Sequence, residues 1–108
     1  MKPIDQLRAF LDHEEPGLSS QFGPEEFQEY LTMAKDDVKG QGLRYGQKRV
    51  VLKASSYAMF ALAVSEITRG VQSKADHYDK LKQRFCDMFD QLVRGAPRHW
   101  PERKSSKI

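Results

Sequence analysis

The residue types that carry most enzyme chemistry are few in this chain and poorly spaced for it. Its three histidines, His13, His77 and His99, stand far apart. No two occupy the i, i+4 positions from which a helix presents a metal pair. His77 follows Asp76 and precedes Asp79 by two residues, but side chains one and two apart on a helix face different ways. Acid pairs occur at Glu25/Glu29, Asp76/Asp79 and Asp87/Asp90. Carboxylates that divide acid and base roles need an enclosed cleft to separate their pKa values. The later pairs share their stretch with Lys80, Lys82 and Arg84, the composition of a solvated helix face. Cys86, the single cysteine, has no base near it in sequence, cannot close an intrachain disulfide and is too little for a zinc site. The run Gly40 to Gly46, followed by Lys48 and Arg49, has glycines spaced neither as a dinucleotide fingerprint nor as a P-loop. It reads as a hinge before a helix whose N-terminus suits an anion. The expectation is a protein with no catalytic residue, no metal and no cofactor.

Four helical patterns must position whatever acts instead. The first runs from about Pro3 to His13, with Ile4, Leu7, Phe10 and Leu11 at helical spacing and Pro3 in a first-turn position. Glu14-Glu15-Pro16-Gly17 ends it, and a polar connector follows. The second starts at Pro24, carries Glu25 and Glu26 where the helix dipole favours negative charge, and stops at Gly40-Gln41-Gly42. Phe27, Tyr30, Leu31, Ala34 and Val38 form its single apolar stripe. The third spans about Gln47 to Arg69, before Gly70, and every residue from Tyr57 to Val64 is apolar. A helix apolar on all sides has to be surrounded. The fourth spans about Gln72 to Val93, and Tyr78, Leu81, Phe85, Met88 and Leu92 make a coiled-coil-like seam widened by Phe89 and Val93. The predicted fold class is all-α, a small four-helix domain over residues 1–95 with a basic C-terminal tail over 96–108.

At 108 residues, with 39% hydrophobic and 31% charged residues, the chain has the size and core of one domain. No apolar leader follows Met1, and the longest charge-free run, Ala54 to Ser65, is 12 residues, short of a bilayer span. A cytoplasmic protein is expected. The formal charge of +3 conceals an acidic first third and two basic stretches. Residues 38–65 hold Lys39, Arg44, Lys48, Arg49 and Lys53 with no acid, and the tail is also basic. Such stretches suit acidic protein partners, nucleic acid, or the acidic part of the same molecule.

Two readings of function follow. If the second and fourth helices each cover one side of the third, a row of apolar side chains stays open, and a homodimer is the simplest cover. Tyr57, Phe60, Val64, Phe85, Met88, Phe89 and Leu92 are the candidate protein-binding anchors, since aromatics and methionine are frequent in buried interfaces. This format resembles small bacterial adaptors and antiactivators. That resemblance implies a regulatory module that masks a surface of another protein, such as a transcription regulator. The alternative takes Lys48-Arg-Val-Val-Leu-Lys53 as a strand, with Ser55 or Ser56 capping a helix from Tyr57. That order, over residues 48–93, resembles the ribbon-helix-helix DNA-binding family and implies a dimer whose Arg44, Lys48, Arg49 and Lys53 meet DNA.

The two formats differ in strand content. Far-UV circular dichroism should show about two-thirds of the residues in helix, against roughly one-third for soluble proteins in general. A spectrum dominated by strand signal would end the four-helix reading.

Overall fold

The computed structural model describes residues 2–43 and 46–95, so Arg44 and the tail lie outside the described residues. Four helices follow one another: α1 (Pro3–Glu14), α2 (Pro24–Gly40), α3 (Gln47–Thr68) and α4 (Gln72–Gly95), with one short 3-10 turn over Leu18–Gln21. The described chain is 86% helical and contains no strand. Residues 48–53 therefore belong to the first turns of α3, which removes the strand that the ribbon-helix-helix reading requires. Ser55 and Ser56 are not caps either. Their hydroxyls donate to the carbonyls of Val51 at 2.8 Å and Lys53 at 2.6 Å, inside a continuous helix.

The ends of the helices are local chemistry. Pro24 fills a first-turn position of α2, and the Glu26 carboxylate accepts the Gly23 N–H at 2.9 Å. At the far end, Gly42 takes φ of +72°, so that Gly42 N–H reaches the Lys39 carbonyl at 2.9 Å and Leu43 N–H reaches that of Val38 at 3.1 Å. Gly70, with φ of +81°, repeats the arrangement at the end of α3. There Gly70 N–H bonds Ile67 and Val71 N–H bonds Glu66 across the turn into α4, at 3.0 and 2.8 Å. This is the Schellman termination, which needs a left-handed residue just past the helix and favours glycine there.

α3 is the centre of the molecule. It packs along α4 on one side and against α2 and α1 on others. Between Val50 and Met59 its side chains are buried almost all round, and only Lys53 and Tyr57 are partly open. By length and composition α3 would serve to cross a bilayer, which the charge-free run alone did not suggest, yet more than half of its apolar window is packed inside the fold. The other helices contribute Leu7 and Leu11 from α1, Phe27, Leu31, Ala34 and Val38 from α2, and Tyr78, Phe85 and Phe89 from α4. Phe10 meets Phe85 ring to ring at 5.1 Å, joining α1 to α4.

The 3-10 turn, which sequence patterning treats as a connector, is part of this packing. Leu18 and Ser19 are buried, and the Asp12 carboxylate accepts both the Ser19 N–H at 2.9 Å and its hydroxyl at 2.7 Å. Those two bonds hold the Asp12 carboxyl below its ordinary pKa. Gln21 then donates to the Tyr78 hydroxyl at 2.8 Å, and Arg84 donates to Glu14 at 2.9 Å. His77 contacts Glu15.

Two substitutions test this architecture by denaturant unfolding. Phe85→Ala should cost about 3–5 kcal/mol, since it empties a fully buried aromatic site. Gly70→Ala should cost roughly 1–2 kcal/mol, because it forces a side chain into the left-handed region. Equal, small losses at both would contradict the packing described.

Candidate functional site

Among the described residues, the histidines, the acid pairs and Cys86 stay apart. His77 and His13 lie on the surface, Asp79 pairs with Lys82 at 3.6 Å, and Asp76 accepts from Gln72 at 2.8 Å. Asp87 and Asp90 are exposed, Cys86 is half-buried, and His99 lies outside the described residues. Among the described residues no cluster of His, Cys, Asp or Glu is arranged to hold a metal ion.

The candidate anchors divide by depth. Phe85 is 0% exposed and Phe89 4%, so both are core and neither is available to a partner. Met88 and Leu92 are partly buried and pack against that core. Phe60 and Val64, by contrast, are 58% and 45% exposed, and Ile67 joins them at 58%. The three sit at i, i+4 and i+7, one above another on a single side of α3. Ile67 continues a spacing readable from residues 60 and 64, but its polar neighbours Glu66 and Thr68 placed it outside the apolar run. Lys82 of α4 lies over one end of the patch, its Nζ 5.7 Å from the Phe60 ring. On another side of α3, at its C-terminal end, Arg69 is mostly exposed and stands 3.6 Å from the buried carboxylate of Glu66. Glu66 Oε1 has no hydrogen-bond partner.

The rest of the face differs in kind. Tyr57 lies one turn before Phe60, and its hydroxyl donates to Asp37 Oδ2 at 2.9 Å. Lys53 stands 3.5 Å from the same oxygen and 4.7 Å from the Phe89 ring. This group ties α2, α3 and α4 together. Partial burial on its own would raise the Asp37 carboxyl, but hydrogen bonds from Tyr57 and Gln41 and the charge of Lys53 outweigh it and hold the pKa low. Burial and the adjacent Asp37 charge push the Tyr57 phenol well above its ordinary value. Tyr57 and Lys53 thus have structural employment. Lys48 is exposed on the first turn of α3, and Arg49 is half-buried beside it.

A different depression lies where α1 begins, away from the Phe60 patch. Ile4, Leu31 and Val50 form its apolar lining, Lys2, Gln28 and Lys35 its polar one, and its volume is about 360 Å³. None of these residues drew notice as a site in sequence, because each belongs to an ordinary stripe or an ordinary polar face of its own helix.

No protein-family model, no curated protein and no solved structure matches the chain.

The Asp37 group makes a pH prediction. Because its folded pKa is depressed below the ordinary 3.8, the stability it contributes is intact above that value. It disappears as pH falls through the folded pKa. Tyr57→Phe should therefore cost about 1 kcal/mol at neutral pH. That difference from the native protein should shrink in acid below the ordinary carboxyl range, as followed by urea unfolding at stepped pH. A pH-independent difference would remove Asp37 from the account.

Proposed function

We propose that this protein is a small interaction module that binds and masks a surface of another protein through the open face of α3. One observation carries the reading: Phe60, Val64 and Ile67 lie half exposed in a row on a helix that is enclosed just before them, from Val50 to Met59. Burying a large apolar side chain contributes roughly 1.5–3 kcal/mol, so such a row favours a covering surface. An amphipathic helix with its own i, i+3/i+4, i+7 apolar stripe fits a straight row of this kind. Lys82 stands beside the row, and an acidic residue flanking the partner's stripe would match it.

Size argues for a partner other than a second copy. Given about 150–250 Å² for a fully buried aromatic, three half-exposed side chains leave a patch of roughly 300 Å². Two copies face to face would bury about twice that, against the ~1,200–2,000 Å² of a stable interface. A homodimer would need a larger surface than this row provides. A regulatory contact, made and released, needs no more. An antiactivator or adaptor for a transcription regulator is the kind of role this format serves. DNA binding in the ribbon-helix-helix format has lost its strand, and Lys53, one of its contact residues, is engaged with Asp37.

The test combines sedimentation with partner titration. The purified chain at micromolar concentration should sediment near its 12.5 kDa mass. A partner recovered from native cytoplasm in the presence of nuclease, once identified and purified, should bind at least tenfold more weakly to Val64→Asp or Ile67→Asp. Both variants should melt close to the native temperature, since the positions are open. A partner indifferent to both substitutions would overturn the proposal. So would tight, sequence-selective duplex binding at physiological salt.

A further inference from the structure

The depression at the start of α1 lies at the end of the molecule where α4 stops. α3 and α4 run antiparallel: Lys82 of α4 stands over the Phe60 ring, and Lys53 of α3 stands 4.7 Å from the Phe89 ring. Carried six residues further, the same pairing puts the end of α4, at Gly95, beside the first turn of α3. Val50 belongs to that turn and forms the bottom of the depression with Leu31. Both are almost inaccessible, so the bottom is the outer wall of the hydrophobic core. Ile4 extends this apolar surface from α1, and Lys2 and Gln28 stand at its sides. Lys35, on the rim, has an interaction of its own.

Trp100, the only tryptophan of the chain, follows Gly95 by five positions and lies outside the described residues. Five extended residues span up to ~17 Å. Packed helix axes are about 8–10 Å apart, so an indole ring tethered to Gly95 can reach the depression. A volume of about 360 Å³ has room for one bulky aromatic side chain. The lining suits an indole in three ways. Ile4, Leu31 and Val50 offer the ring an apolar bed. The exposed Lys2 can lie on its face, and tryptophan gives the strongest cation–π attraction of the aromatics. The Gln28 carboxamide can accept the indole N–H. Charge agrees outside the depression. Arg98 and Arg103 flank Trp100 in sequence. The exposed Glu29 and Asp36 stand one turn either side of Thr32 on the rim, and the exposed Asp5 follows Ile4. The geometry points to this depression as the seat of the chain's own basic tail, with Trp100 inside it and Arg98 and Arg103 over the acids of α1 and α2. The contact is independent of the α3 face proposed for protein binding. Because α4 packs its length against α3, the tail adds a second attachment, to α1 and α2.

Fluorescence of the single tryptophan in the full chain tests the assignment. Its emission should be blue-shifted from that of the urea-unfolded chain. Acrylamide should quench it at least threefold more weakly than it quenches N-acetyltryptophanamide. Both readings should hold over a hundredfold range of protein concentration. The double variant Gln28→Lys/Thr32→Arg changes two exposed side chains, narrows the opening and repels the tail. It should return emission and quenching to the unfolded values while the melting temperature stays near the native one. In 1H–15N spectra, Trp100→Ala leaves the depression itself unaltered and should shift the amides of Ile4, Gln28 and Thr32, with those of Phe60, Val64 and Ile67 in place. Quenching as strong as that of the free compound would overturn the proposal, as would protection that survives the double variant. Protection lost in Val64→Asp would overturn it by placing the tail on the α3 face. Protection that appears only as concentration rises would do the same, by assigning the depression to the tail of a second copy.

Discussion

Everything in this fold depends on enclosing α3. Between Val50 and Met59 it presents apolar or small side chains on nearly every side, with only Lys53 and Tyr57 partly open, and these sides are met by α4 along one and by α2 and α1 across the others. The remaining helices are ordinary amphipathic pieces, each with one stripe to hide, and α3 supplies the surface on which they hide it. Enclosure ends near residue 60, where the helix continues for two more turns with Phe60, Val64 and Ile67 uncovered. The open surface is thus the continuation, beyond the reach of the other helices, of the same all-round apolar character that organises the core.

Polar contacts around this centre add geometry more than energy. Asp37 collects Tyr57 and Lys53 at the meeting of three helices, Asp12 clamps Ser19, and Gln21 reaches Tyr78. Each links segments that the apolar stripes alone would let slide. Most lie near water, where an ion pair contributes little to stability.

Much of the helical framework was legible from residue types. Pro3 and Pro24 mark starts, and Gly42 and Gly70 mark stops because only a left-handed residue completes those terminations. The turn at Leu18–Gln21 was not legible, because its polar composition conceals a buried Leu18 and a clamp made by Asp12, seven residues earlier in the chain. The stretch from Lys48 to Lys53 carries a short apolar run, Val50-Val51-Leu52, that can be read as a strand, and its continuity with the helix after it decides otherwise. The surface was least legible of all. Phe60 and Phe85 are alike in sequence, both aromatics on apolar helical stripes, yet one is open and the other has no exposure. Periodicity says that a side chain has a preferred face; which faces meet is settled by helix packing between distant segments. The depression lined by Lys2, Leu31 and Val50 exists only after such packing.

The order of the helices along the chain has a consequence during synthesis. α1 and α2 leave the ribosome before α3, so part of the covering for its apolar surface is in place when it emerges. Its most extensive neighbour, α4, follows it in the chain and emerges later. A nascent segment long and apolar enough to resemble a membrane span is then exposed on one side until α4 has emerged and packed. The tight turn at Arg69–Val71 shortens that interval by returning the chain onto α3 at once. The same turn that terminates a helix thus limits how long the ribosome displays an uncovered hydrophobic chain to chaperones and membranes.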